Sequence, residues 1–532
     1  MPATTKFVAA AAVTALMSTS AFADSPKPAT GSLTIAQAAE STMLDVTRAA
    51  AGVDWYILGN INEQLLQPNP DLEVENWLAE KWETREENGK PVIEVWLRKG
   101  VMFHHGGELT ADDMVFAQQR LGDPDVSKWP HYQAKVEKIE VLGTHHFKII
   151  FNEPDALYLA GSGLMRLWGV SRAYYESHTN EEIAAQPDGT GPWKLKSRKV
   201  KEEFVLEAFD DYWNHDHRPG VKDLTIKIIP EDITRVAALQ TGAVDWIDAV
   251  PPAMVEDVQG MEGIVTTARP SGNNLFMGLP QYLDALPGMD KNPFKDVRVR
   301  LAAAHAVDMD GIIEGVLFGQ AQRYTTTTPG APTYDPSIQP YAYDPGKAKE
   351  LLAEAGYPNG FDVNCYNLIT PREPNIKEYG EAFFAYLSQV GIRCNVIGEE
   401  YSPWLARNNR SREPQSDGIF TDMWGHGVVP DPGTPWSGMI HCYKEGEGWG
   451  SYSHYCDPEL DPLIEEQASV MDPAERIPLV KKLGKIKYEQ VAGGITTYVP
   501  LVTFAWREAK VDYNPWPWAG FWRKLQEIGI KQ

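Results

Sequence analysis

The period of apolar and polar positions changes along residues 189–246, GTGPWKLKSRKVKEEFVLEAFDDYWNHDHRPGVKDLTIKIIPEDITRVAALQTGAVDW. A glycine turn opens the stretch, and alternation with period two, ending in FDDYW, predicts a strand. A polar turn follows. LTIKIIP then predicts a second strand, and the spacing in DITRVAALQT predicts a helix closed by Gly242. Elsewhere SLTIAQAA predicts a short strand, and a helical stretch near Val53 to Leu66 leads into WLAEKWE. VIEVWLRKGVMFHHGGELTADDMVFAQQRL predicts a strand, a tight glycine turn and a helix, with Thr110 as N-cap and Asp113 three residues on. Val299, Leu301, Ala302, Ala306 and Val307 recur at helical spacing, and a second helix follows Asp308. Asp344 with Pro345 starts another helix that Gly356 stops, and Asp472-Pro473-Ala474-Glu475 starts a late one.

At 532 residues the chain is too long for one core, and about 100–200 residues per domain suggests three or so units. At the start, Lys6 precedes an alanine-rich run ending in Ala21-Phe22-Ala23, the small-x-small pattern of a secretory cleavage site. Residues 1–23 are therefore expected to be a signal peptide, with no cysteine after them for a lipid anchor. A net charge of −24 argues against nucleic acid or anionic lipid as partners, because both need basic surface. Seventeen tryptophans suit the aromatic walls of a ligand cleft.

The four cysteines are Cys365, Cys394, Cys442 and Cys456, and in an exported chain an even count favours disulfides. Three pairings are possible. Cys365 in FDVNCYNL and Cys394 in GIRCNVIG flank a helical segment, so a βαβ unit could set their strands side by side. Cys442 and Cys456 bracket the loop KEGEGWGSYSHY, which a bridge would staple. These two local bridges are the preferred pairing. A metal site is the competing reading, weakened by the absence of CxxC.

The order glycine turn, strand, FDDYW, second strand, helix, together with FHHGGELTADD, PFKDVRVRLA and DPGKAKELLAEAGYPNG, resembles the family 5 extracellular solute-binding proteins, the peptide- and nickel-type binding components of ABC importers. The resemblance runs from about Trp77 to Pro500. It implies an α/β fold, the two-lobed periplasmic binding protein fold (type II, cluster C-like). Lobe I would comprise 24–65, 187–270 and 497–532, with an additional domain at 66–186 and lobe II at 271–496. Chain crossings near Pro270 and Pro500 would form the hinge. It also implies a monomer in the periplasm that captures a short peptide or peptide-like ligand, delivers it to an ABC permease and ATPase, and catalyses nothing, with no cofactor. The second preferred bridge resembles one in dipeptide-binding members.

The segment IFTDMWGHGVVPDPGTPWSGMIHC is the expected ligand surface. In peptide-binding members a tryptophan is followed three residues later by an aspartate that pairs with the peptide's ammonium group. Trp424 matches, but Gly427 stands where the aspartate would be, and Asp431 aligns with a later Asp-Pro turn. His426 is a further candidate, as a donor to an anionic or hydroxylated ligand. Asn273, Asn274 and Phe276 occupy a strand whose family counterpart faces the cleft; Trp404 and Trp168 lie in segments resembling cleft-lining ones; Ser41 and Thr42 follow the first strand. Each has a bland alternative as a core aromatic or turn polar residue. The missing aspartate leaves an oligosaccharide, an opine or a nickel chelate as other ligands.

The rival class is a metal-dependent hydrolase, for which Asn214-His215-Asp216-His217-Arg218 is the dense metal-like run. HExxH, GxSxG and GxxxxGK[ST] are all absent from the sequence. His104 and His105 read as turn residues, and His305 as packed in its helix. A ligand relay to a chemoreceptor or a chaperone would keep the fold and change the partner.

Overall fold

The computed structural model describes residues 29–158, 166–370, 373–407, 416–424, 431, 433–442, 455–518 and 524–531. Strand Thr30–Gln37 lies parallel to Val221–Ile228 on one side and to Trp246–Ile247 on the other. Outward from Val221–Ile228 come Glu203–Ala208 and then Trp193–Lys199, both antiparallel to their inner neighbour. The long alternating run that ends in FDDYW is thus a hairpin. It turns at Lys201, whose φ is 63°, where the polar sequence between exposed Val200 and Glu203 offers no inward apolar position.

A second group of strands is built from Asn274–Gly278, Phe361–Leu368, Ile392–Glu399 and Gly418–Trp424. Strand Ile495–Arg507 joins the two groups. Its first residues pair with Asn274–Gly278 and Ala321–Arg323, and from Leu501 to Arg507 it pairs with Ile264–Pro270. The change of partner falls at Pro500, which lacks an N–H, while its carbonyl accepts the Ser271 N–H at 2.8 Å. Both chain crossings therefore meet at one point.

Each strand group has its own core. Leu33, Ile35, Trp193, Phe204, Leu206 and Trp246 belong to one, and Leu275, Met277, Val363, Phe383, Leu387 and Ile419 to the other. Separate cores joined by two strands make a two-lobed α/β molecule. A four-stranded antiparallel sheet (Ala79–Glu87, Lys90–Leu97, His146–Phe151, Val136–Gly143) stands apart and lays Ile93, Val95 and Phe147 on the first core.

Local signals hold where they concern caps. Thr110 and Asp113 form a reciprocal capping box at helix Ala111–Gly122. Asp344 accepts the Lys347 N–H at 2.9 Å, and Gly242 takes the left-handed φ of 76°. The helix near Val53 to Leu66 is shorter than its pattern, spanning Trp55–Ile61. Beyond it the backbone of Glu63 and Leu65 bonds to Gly169 and Leu167, so a tertiary bridge replaces further helical turns. Among the described residues, no helix is long and apolar enough to cross a membrane.

Both local disulfides are formed, Cys365–Cys394 between the parallel strands of a βαβ unit and Cys442–Cys456 across the loop. Ile392–Glu399 is an edge strand, so the first bridge ties that edge to its neighbour. In the loop-entropy account, closing loops of this length stabilises by about 3–4 kcal/mol each. Thiol reductant is accordingly expected to lower the melting temperature, and alkylation of unreduced, unfolded protein to label no cysteine. Four labelled thiols in the mass spectrum would contradict the pairing.

Candidate functional site

Ligands of open α/β sheets gather at the carboxyl ends of the strands, and the loop that leaves strand Thr30–Gln37 is anchored there. Ser41 is buried and donates its hydroxyl to the Val53 carbonyl at 2.7 Å. The Thr42 and Met43 N–H groups both donate to Asp54, whose carboxyl burial pushes up despite these bonds. Thr42 is exposed on the loop. Three arginines fasten the loop: Arg198 to Glu40 and the Ser41 carbonyl, Arg120 to Asp45 and Thr47, and Arg48 to the Asn180 carbonyl.

On the second lobe, register sets Asn274 opposite Trp424 and Phe276 opposite Asp422. The Asn273 side-chain amide donates to Glu373, a carboxylate from the loop after strand Phe361–Leu368. The structure thus brings Asn273, Asn274 and the Trp424 backbone together at the crossing. Phe276 is 1% exposed within the second core. Trp404 is equally buried there, stacked on Tyr401 and donating Nε1 to the Thr421 carbonyl at 3.1 Å. His426 and Gly427 lie outside the described residues.

Asp431 has a defined structural role. Its two oxygens receive the Arg476 guanidinium, and Oδ1 also accepts the Gly433 N–H at 2.7 Å. Arg476 is buried and donates further to Gln467. Three of the roughly four acceptor positions of this carboxylate are thus taken within the lobe.

Trp168 lies in the first lobe's core, stacked on Trp55 with centroids 5.5 Å apart. With Asn62, Trp77, Trp518 and Lys524 it lines a cavity of about 20 Å³, room for one water. Two polar atoms there, Trp168 Nε1 and Asn62 Oδ1, have no partner among the described residues. Burial pushes the Lys524 amine down to about 8. Beside the cavity sits Glu63, a residue with no outstanding signal in NINEQL. Oε1 accepts Trp77 Nε1 at 2.7 Å and Tyr212 OH at 2.8 Å; Oε2 accepts Thr190 OH at 2.8 Å and Trp213 Nε1 at 3.0 Å. The GTGPW and FDDYW motifs thus converge on one buried carboxylate, which burial raises while the four donors pull it down. Gly189 and Gly191 allow this because a Cβ on either would strike the Ile61 carbonyl.

The histidines have structural surroundings. His104 is buried, with Nε2 bonded to the Gly191 carbonyl at 2.8 Å and Nδ1 unpartnered among the described residues. His105 stacks on Tyr174 and pairs with Asp188, and His217 bonds Glu527 beside the Trp77 ring. His305 donates to the Ala342 carbonyl at the end of its helix. Among the described residues, no group of three or more His, Cys, Asp or Glu could hold a metal.

Burial pushes the His104 imidazole down to about 3. The unfolded ring, near 6.5, takes a proton that the folded ring refuses, so stability is whole above pH 6.5 and falls as pH is lowered toward 3. The expected loss between pH 7 and pH 4 is about 3 kcal/mol. His104→Gln should flatten that part of the pH profile of urea unfolding; an unchanged slope would show that His104 does not carry it.

The family description "Bacterial extracellular solute-binding proteins, family 5 Middle" matches residues 73–450. Heme-binding protein A of Haemophilus influenzae is 30% identical over 446 residues, covering 79% of this chain and 78% of that protein. The dipeptide-binding protein of Escherichia coli is 27% identical over 445 residues, covering 79% of each chain. Among solved structures, HbpA2 from Haemophilus parasuis superposes with a TM-score of 0.78 at 23% identity, covering 94% of this chain and all of that one. With separate cores, paired crossings and a family match spanning most of its length, the chain belongs to the bacterial extracellular solute-binding proteins, family 5.

Proposed function

We propose that this chain is the binding component of an ABC importer, a periplasmic monomer that closes its lobes on a short peptide or amino-acid conjugate and delivers it to a permease and ATPase. It performs no catalysis. The observation that carries the reading is the strand Ile495–Arg507, which belongs to both halves and meets the other crossing at Ser271. Two strands at one point make a hinge, and a ligand held between the halves contributes the contacts that favour closure. In this reading residues 24–65, 187–270 and 497–532 act as one lobe, 271–496 as the other and 66–186 as an addition to the first, with residues 1–23 removed on export. The ligand surface is assigned to Trp424, His426, Gly427, Asn273 and Asn274, with Thr42 as the first lobe's contribution. The buried Phe276, Trp404, Trp168 and Ser41 shape and support it.

An opine or a metal chelate is the second reading, favoured by one observation: Asp431, the carboxylate that follows Gly427, is bound to Arg476. Small-angle X-ray scattering tests closure. Protein stripped of solute by unfolding and refolding should contract when a saturating ligand is added, whereas an unchanged radius of gyration under saturation would contradict the hinge.

A further inference from the structure

Three apolar side chains are buried on segments whose neighbours are exposed. Leu72 is 4% exposed at the tip of the hairpin formed by Leu66–Pro68 and Val74–Asn76, between exposed Asp71 and Glu73. Ala331 is buried between exposed Gly330 and Pro332, and Trp518 follows exposed Pro517. The three cover one another in a small apolar cluster, with Trp516 packed against it. This cluster is separate from the cores of both strand groups.

Its members come from both lobes. The hairpin adjoins Leu65, Leu66 and Trp77 of the first core, and Trp518 stands before Leu525 and Ile528 of the same core. Ala331 lies instead on the loop after Ala321–Arg323, between Ala321 and Ala348 of the second core. On the first-lobe side the seat is fixed without help from Ala331. Asn69 Oδ1 accepts the Asp71 and Glu73 N–H groups at 2.9 Å each, Trp518 Nε1 donates to the Pro70 carbonyl at 3.2 Å, and Trp516 meets Trp518 edge-on with centroids 5.2 Å apart. Leu72 takes a φ of 61°, a region that disfavours any residue with a Cβ. A leucine in that conformation at a hairpin tip persists where burial of its side chain offsets the strain.

We propose that the Leu72 tip and Trp518 form a latch on which Ala331 of the second lobe seats, and that this contact holds part of the population closed before any solute is bound. The inference rests on the lobe closure proposed above and deepens it. One leucine, one alanine and one tryptophan make a contact far smaller than either core, so it can part without unfolding a lobe. A closed form already populated raises apparent affinity, because the solute has less of the equilibrium left to shift.

The test is small-angle X-ray scattering of refolded, solute-free protein, comparing wild type with L72G, L72D, A331K and L72D/A331K. Glycine removes the side chain and the strain together. L72G should therefore raise the open-to-closed ratio by about 10- to 100-fold, the range for exposing one leucine side chain, and melt no lower than wild type. Its radius of gyration should exceed that of wild type. L72D and A331K each set one charge against apolar partners and should expand the protein too, whereas the double variant, with opposite charges, should be more compact than either single one. A wild-type radius of gyration in L72G would overturn the latch. So would a lower melting temperature in L72G, which would make Leu72 a core residue of its own lobe, or a double variant no more compact than the single ones, which would show that positions 72 and 331 do not meet. Because no solute is present, the outcome is separate from that of the capture reading. Variants that expand, in a protein that no solute contracts, support the latch while solute capture fails alone; a wild type that contracts with solute while L72G matches it without solute removes the latch and leaves capture standing.

Discussion

Glu63→Ala is expected to destabilise the first lobe by about 3–5 kcal/mol, because it removes the acceptor shared by four neutral donors. Four donors, from Trp77, Tyr212, Trp213 and Thr190, fill both lone-pair positions of each carboxylate oxygen. Truncation takes this acceptor from three buried donors and from the half-buried Trp213, at about 1–3 kcal/mol for each buried one before relaxation. Glu63→Gln keeps one carbonyl and turns an amide toward two of the donors, so a loss of intermediate size is expected. Urea unfolding followed by tryptophan fluorescence reads this directly, since Trp77 and Trp213 sit on the cluster. The separate core of the second lobe should keep its own transition. A change below about 1 kcal/mol in the alanine variant would mean that the donors find other acceptors.

Asp431→Ala should cost about 3–5 kcal/mol in the second lobe, because it strands the Arg476 guanidinium in a site where it is nearly fully buried. Gly433 loses its N–H acceptor in the same step. The double variant Asp431→Ala with Arg476→Met removes both charges and should recover much of the loss, because an apolar side chain of similar length replaces the stranded cation. If Trp424 contacts the ligand as proposed, local destabilisation is also expected to weaken affinity, since helix Gly433–Ile440 follows strand Gly418–Trp424 in the sequence. Equal destabilisation of the double variant would show that packing by the Arg476 stem, and not the charge pair, is what matters. If Asp431→Ala lost affinity with its melting temperature unchanged, Asp431 would be a ligand contact and the structural role assigned to it would be wrong.

Apart from the two-lobed fold, which the family resemblance implied, what the residues themselves showed was local. The Asp344 cap, the Thr110–Asp113 box and the Gly242 stop are set by neighbours within four residues, and each is found in the structure. The cysteine pairs belong to the same class, because a βαβ unit and a short loop bring them together through local geometry. Glu63 was not legible for the opposite reason. Its partners lie up to 150 residues away, and nothing in NINEQL marks the carboxylate as buried. Trp404 and Phe276 show a further limit: a tryptophan or phenylalanine on a strand or helix carries the same local signature whether its ring faces a cleft or a core, and burial decides between them only once the fold exists. The contact between Asn273 and Glu373 likewise spans 100 residues and needed the tertiary structure.

The most direct test of solute capture is a thermal-shift panel on refolded, solute-free protein, with dipeptide mixtures, opine-like conjugates, oligosaccharides and nickel chelates. Binding stabilises by RT ln(1 + [L]/Kd), about 2.7 kcal/mol at a hundredfold excess over Kd. The account predicts a saturable rise in melting temperature with a carboxylate-bearing peptide or amino-acid conjugate, and none with neutral oligosaccharides. A rise confined to oligosaccharides would contradict the ligand class, and no rise with any of the four would contradict capture of such solutes altogether.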